Sequence, residues 1–87
     1  MDLMFISDPG HSWLRIPIVE AEKYEFKPST YSFADHRYYY LEEDIDAADF
    51  IDIVFNGELP QYVHLEVDDF NRYCWANDIG RIHGDSV

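Results

Sequence analysis

The stretch Tyr38–Gly57 changes period part-way along, and that change constrains the fold more than any other feature. Tyr38-Tyr39-Tyr40-Leu41 is a β-type aromatic run. From Glu42 the spacing turns helical, and six of the chain's eighteen acidic residues lie between Glu42 and Asp52. Asp44 is the expected N-cap, its short carboxylate accepting from an unpaired backbone N–H. Glu42, Glu43, Asp44 and Asp46 fall at the positive end of the helix. Asn56-Gly57 supplies the stop, since both residues tolerate the left-handed conformation. At about 100° per residue, Asp46, Asp49, Asp52 and Asn56 share one side. Ala47, Phe50, Ile51, Val54 and Phe55 share the other, with Ile45, Ala48 and Ile53 widening the apolar arc. The apolar side must be buried. The acidic side must be solvated or meet a cationic partner.

A solvated face is the ordinary fate of a charged helix side. Two features weigh against it here. Asp is a poorer helix-interior residue than Glu, Lys or Gln. No Lys or Arg occurs between Arg37 and Arg72 to offset the stripe, and like charges at this spacing repel.

Eighty-seven residues are expected to form one domain, residues 1–87, near the lower size limit for folding without staples. An aromatic content of 17% is too high for a disordered chain and can build a core in a short one. The formal net charge of −12 excludes phosphate-backbone binding and disfavours anionic membranes. It steers the protein towards basic surfaces instead. Cys74 is the only cysteine, so no intrachain disulfide forms, which fits a reducing cytoplasm. The N-terminus has neither the positive flank nor the apolar core of a signal peptide.

Taken in order, Leu3–Ile6 reads as a strand. Ser7-Asp8-Pro9-Gly10 reads as a turn in which Gly10 takes an unusual φ, so that Gly10→Ala should destabilise. His11–Val19 reads as a second strand whose Pro17 end belongs at a sheet edge or bulge. Glu20–Lys27 is ambiguous between a helical turn and a strand. Tyr31–Ala34 and Arg37–Leu41 form a hairpin. After the acidic helix, Gln61–Val67 alternates, with Val63, Leu65 and Val67 inward. A second helix starts at Asp68 as N-cap, runs to about Asn77, buries Phe70, Tyr73 and Cys74, and is stopped by Gly80. The tail from Arg81 to Val87 is expected to fray. The pattern predicts an α+β domain: a small antiparallel sheet of four to five strands with two helices packed on one face.

No catalytic, metal or cofactor motif emerges. Counting a calcium loop from Asp44 places Ala48, Asp49 and Phe55 at positions 5, 6 and 12, where an oxygen ligand, Gly and Glu belong. His11, His36, His64 and His83 match no zinc spacing. Cys74, between Tyr73 and Trp75, reads as a buried inert thiol. Ser12 beside His11 makes no triad, because strand neighbours point to opposite faces. Tyr38-Tyr39-Tyr40 lacks the positive groove of a base-stacking platform.

Two segments, Phe5-Ile6-Ser7-Asp8-Pro9-Gly10-His11-Ser12-Trp13-Leu14-Arg15-Ile16-Pro17 and Tyr31-Ser32-Phe33 through Tyr40-Leu41-Glu42-Glu43-Asp44-Ile45-Asp46-Ala47, carry a resemblance. Together they resemble small uncharacterised proteins encoded by bacteriophages and prophages. Those proteins carry a similar Asp-Pro-Gly-His-x-Trp-Leu segment and a Tyr-Leu-Glu-Glu-Asp-x-Asp-Ala segment. The resemblance implies a phage or prophage origin and action in a bacterial cytoplasm; it brings no catalytic residues. By analogy with small acidic phage proteins, it implies a non-enzymatic inhibitor of the anti-CRISPR or anti-restriction type. Its partner would be a basic host protein or nucleoprotein complex, met by Glu42, Glu43, Asp46, Asp49 and Asp52 in partial mimicry of nucleic-acid charge. The second reading is a phage accessory or structural module with an aromatic interface of Trp13, Tyr38, Tyr40 and Trp75.

Overall fold

Trp13 and Leu14 are neighbours on one strand and both are buried, although they point to opposite faces. Such a strand needs cover on two sides, and the computed structural model, which describes residues 1–82, has it. The strands are β1 (Met4–Ser7), β2 (Ser12–Pro17), β3 (Phe33–Ala34), β4 (Tyr38–Glu42), β5 (Val63–Glu66) and β6 (Gly80–Arg81). The helices are α1 (Ile18–Lys23), α2 (Ala48–Phe55) and α3 (Phe70–Ala76), with a π-helical turn at Glu43–Ala47 leading into α2. The strands form one sheet in the order β5-β1-β2-β4-β3-β6. β1 and β5 run parallel; every other pair is antiparallel.

The fold is α+β, as the pattern predicts, but the sheet has six strands and is mixed. The helices also divide between its faces. On one face Leu3, Leu14, Ile16 and Leu41 pack with Ala21 of α1, Ala47 of the π-turn and Phe50 of α2. On the other, Ile6, Trp13, Phe33 and Tyr40 pack with Phe70 and Cys74 of α3 and with Ile79. Trp13 stacks on Phe70 with ring centroids 3.6 Å apart. Phe33 meets the same ring edge-on at 5.2 Å. The tyrosine run divides accordingly, with Tyr39 against the first cluster and Tyr38 and Tyr40 against the second.

Several boundaries differ from the sequence reading, each for a local reason. β2 ends at Pro17 inside the sheet, since β1 reaches only Arg15 and leaves no neighbour there to miss the proline's N–H. Ile18–Lys23 is then a helix, and Glu25 at φ 54° turns the chain out of it. Asp69, not Asp68, caps α3, accepting from the N–H groups of Asn71 and Arg72. α3 closes at Asn77, where the sequence places its end, but the stop is not Gly80: Asp78 takes a left-handed φ of 56°. Gly80 is thereby released from stopping a helix and opens β6, whose Arg81 pairs with Phe33. Arg81, expected to fray, is therefore paired in the sheet; the rest of that expectation, from His83 onward, falls on residues outside those described.

The turn Asp8-Pro9-Gly10-His11 is present, closed by Asp8 N–H on the carbonyl of His11 at 3.0 Å. Its Gly10 has no left-handed φ, and an added Cβ there would meet nothing closer than Asp8 Oδ1 at 3.8 Å. The strained glycine is Gly57, at φ 84°, where a Cβ would stand 3.4 Å from Asp52. Gly57→Ala is expected to lower unfolding free energy by about 1 kcal/mol. Gly10→Ala is expected to stay within about 0.5 kcal/mol of the parent in denaturant titrations.

Candidate functional site

The predicted acidic stripe comes apart at its first member. Asp46 is 4% exposed, and its Oδ2 accepts from Ser29 N–H at 2.8 Å, from Ser29 Oγ–H at 2.8 Å and from Ser32 Oγ–H. Ser32 Oγ in turn accepts from Glu42 N–H at 2.9 Å. The cause is the π-helical turn: its wider winding breaks the step of about 100° on which the stripe was read. Asp46 then points inward, whereas Asp49 and Asp52, on the regular part of the helix, stay exposed. Asp44 is not the N-cap. Glu42, extended at φ −63° and ψ 137°, accepts from Asp44 N–H at 2.7 Å and Ile45 N–H at 3.2 Å.

The sheet gathers a different set of acids. Ser7 of β1 pairs with Ser12 of β2 and with Glu66 of β5, and Trp13 of β2 pairs with Glu42 of β4. One end of the sheet therefore collects three segments: 7–12, 42–46 and 66–69. They carry Asp8, Glu42, Glu43, Asp44, Asp46, Glu66, Asp68 and Asp69 and contain neither Lys nor Arg. Of the predicted contact residues, Glu42 and Glu43 lie at this pole, Asp49 and Asp52 on the adjoining α2, and Asp46 beneath the surface.

Part of the pole serves the fold. Asp8 Oδ1 accepts from Gly10 N–H at 2.9 Å and His11 N–H at 3.0 Å, while Oδ2 accepts from Phe70 N–H at 3.0 Å. This one carboxylate ties the β1–β2 turn to the start of α3. The Phe70 N–H, above all, holds the Asp8 carboxyl below its ordinary value against the opposing effect of burial; Gly10 and His11 N–H groups add to it. Glu42 and Asp69 are likewise occupied as caps. Glu43, Asp44, Glu66 and Asp68, with Asp49 and Asp52, are exposed and form no ion pair among the described residues. The two ion pairs found there, Arg15–Asp2 and Lys23–Glu20, involve other acids.

Beside the pole lies a shallow concavity lined by Phe5, Ser7, Ser12, Glu43, Tyr62 and His64. Ser7 Oγ stands 2.6 Å from Ser12 Oγ and 3.1 Å from Nε2 of His64, and Glu43 Oε1 accepts from Ser12 N–H at 3.1 Å. Sequence reasoning missed this grouping, because the parallel pairing that brings His64 beside Phe5 has no local signature. His64 has no orienting acid among the described residues, the third member that a Ser–His pair uses in nucleophilic catalysis. Cys74 is buried, which pushes its thiol up to about 12 and keeps it protonated near neutrality.

Of the four aromatics assigned to an aromatic interface, Trp13 and Tyr40 are buried and Tyr38 is half-buried under the Arg15 guanidinium. Trp75 alone stands out, at 84% exposed. No helix among the described residues is long and apolar enough to cross a membrane. No protein-family model, no curated protein and no solved structure matches the chain.

Asp46→Ala is expected to cost on the order of 3 kcal/mol, because it strands the half-buried N–H and hydroxyl of Ser29 and the buried hydroxyl of Ser32. Asp49→Ala and Asp52→Ala are each expected to stay within about 0.5 kcal/mol. Equal losses at the three positions in chemical denaturation would restore the single acidic stripe. Asp8 gives a pH signature. Its folded carboxyl lies below the ordinary 3.8, so its stabilisation is present above that value and is lost as pH falls through the depressed one. Asp8→Asn is expected to lower stability at neutral pH and to flatten its decline below about pH 4. Parallel pH profiles of parent and variant would rule that contribution out.

Proposed function

We propose that the protein is an acidic binding protein, without catalytic activity, that occupies a basic nucleic-acid-binding surface on a bacterial defence complex. The observation that carries the reading is the surplus of unpaired carboxylates at one end of the sheet and along α2. Glu43, Asp44, Asp49 and Asp52 are exposed there, in a chain of net charge −12. Carboxylates used as caps have a structural reason to be present; Asp44, Asp49 and Asp52 hold no side-chain hydrogen bond among the described residues, and Glu43 commits only one oxygen, to Ser12 N–H. Held on a π-turn and a helix, they offer negative charge in a fixed arrangement, which is what a phosphate-binding surface accepts.

Of the expected contacts, Glu43, Asp49 and Asp52 keep that role in the proposal. Glu42 contributes through its charge while capping the turn, and Asp46 shapes the surface from below. The phage-type segments set the biological context proposed: an inhibitor of the anti-CRISPR or anti-restriction type, acting in a bacterial cytoplasm. The accessory-module reading rests on one observation, the exposed Trp75. Salt separates the two, since a charge-driven complex weakens steeply as ionic strength rises and an aromatic one does not.

The test uses Glu43→Gln, Asp49→Asn and Asp52→Asn together, with Asp46 left intact. Expressed in bacteria carrying an active CRISPR or restriction system, the parent is expected to raise phage plaquing by at least tenfold. The triple variant, folded by circular dichroism, is expected to lose most of that protection. Full protection by the folded variant would sink the charge-mimic reading and leave Trp75 as the next surface to alter.

A further inference from the structure

The concavity beside the acidic pole, with a volume of about 300 Å³, brings together the Glu43 carboxylate, the Ser7 and Ser12 hydroxyls, the Phe5 and Tyr62 rings and the His64 imidazole. Its lining includes no Lys or Arg. Elsewhere in the molecule a similar set of groups does hold a cation. The Arg15 guanidinium lies 4.1 Å from the centre of the Tyr38 ring, and its Nη2 stands 3.2 Å from the Asp2 carboxylate. Tyr38 O–H donates to the same carboxylate at 3.3 Å. One tyrosine face and one carboxylate thus clamp a guanidinium from two directions, by cation–π attraction and charge-assisted hydrogen bonding. Tyr62 and Glu43 are the corresponding pair in the concavity, without a resident cation.

We propose that this concavity receives an arginine side chain presented by the partner protein. The proposal rests on the acidic-surface reading above and names the chemistry that one position of that surface accepts. Three features favour arginine. Tyr62 is braced edge-on by Phe5 at 5.0 Å and remains half exposed, so part of its ring is open to a planar group. Glu43 uses Oε1 to accept from Ser12 N–H, which fixes the side chain and leaves Oε2 for a guest. The hydroxyls can also align as acceptors. With Nε2 of His64 unprotonated, Ser7 donates to it and Ser12 donates to Ser7, so both serine protons point inward. The lone pairs of Ser12 then face the guest.

The experiment titrates the full-length protein with N-acetyl-L-arginine amide and follows backbone amides by nitrogen-15 NMR. N-acetyl-L-citrulline amide, nearly the same shape without the charge, is the control. Saturable shifts are expected at Ser7, Ser12, Glu43, Tyr62 and His64, with citrulline binding at least tenfold weaker. Tyr62→Ala is expected to weaken arginine binding about two- to fivefold. Glu43→Gln is expected to weaken it about tenfold, and its carbonyl oxygen still accepts from Ser12 N–H, so the fold is kept. Absent or unsaturable shifts, equal binding of citrulline, unchanged affinity in Glu43→Gln, or equal shifts at the remote acids Glu20, Glu58 and Asp78 would each overturn the proposal. If phage protection depends on the surface acids while these amides stay unmoved, the pocket fails and the surface reading stands. If arginine binds here but charge removal leaves protection intact, the reading fails and the pocket stands.

Discussion

A buried carboxylate needs hydrogen-bond donors, and the three that reach Oδ2 of Asp46 organise one side of the molecule. Its donors all come from Ser29 and Ser32, in a segment between α1 and β3 with little regular structure of its own. Binding them draws that segment over the π-turn. Ser32 passes the connection on by accepting from Glu42 N–H, where β4 becomes the turn. Strand end, turn and loop are thereby locked at one point. Ala47 enters the core directly after Asp46, and Phe50 follows one turn of α2 later. Removing the carboxylate would leave the Ser29 N–H and the Ser29 and Ser32 hydroxyls without this acceptor. The arrangement works only as a set.

This explains why the acidic helix was half legible. Period alone identifies an amphipathic helix, and on the regular part of it Phe50 is buried and Asp49 and Asp52 are exposed, as a helical wheel requires. A wheel assumes α-geometry, and the π-turn is set by a contact with Ser29 and Ser32, more than a dozen residues earlier in the chain. The cap position fails for a related reason. Residue type favours Asp44, but the extended backbone at Glu42 and the reach of its longer side chain decide the matter.

The same division runs through the sheet. The alternation of Leu14 and Ile16 marks one buried face of β2, yet Trp13, in the opposite phase, is buried too, because α3 stacks Phe70 on it. Nothing local shows which face a later helix will cover. The parallel pairing of β5 with β1 is equally silent, since its donors and acceptors are backbone groups that every residue carries. Turn chemistry was legible where a side chain closes its own loop. Burial raises the Asp35 carboxyl, but the N–H groups of Arg37 and Tyr38 and the hydroxyl of Tyr40 outweigh it and hold it below its ordinary value. Asp8 shows the limit of such reading: its contact with Gly10 is local, whereas its contact with Phe70 is not.

Net charge by itself cannot separate useful acids from decorative ones, but the hydrogen bonds divide them. Asp8, Asp35, Glu42, Asp46 and Asp69 hold backbone or hydroxyl donors in place, and their negative charge is part of how the chain folds. Each would be hard to replace with Lys or Gln at the same position. Glu43 stands between the classes, with one oxygen on Ser12 N–H and the other uncommitted. Asp44, Asp49, Asp52, Glu66 and Asp68 hold no side-chain hydrogen bond among the described residues, and neighbouring like charges lower stability by repelling one another. Folding therefore accounts for the first class and is opposed by the last. A cationic surface would reverse that repulsion. Of the proposed contacts, Asp49 and Asp52 are acids that folding leaves over, so changing them tests function with little disturbance to the core.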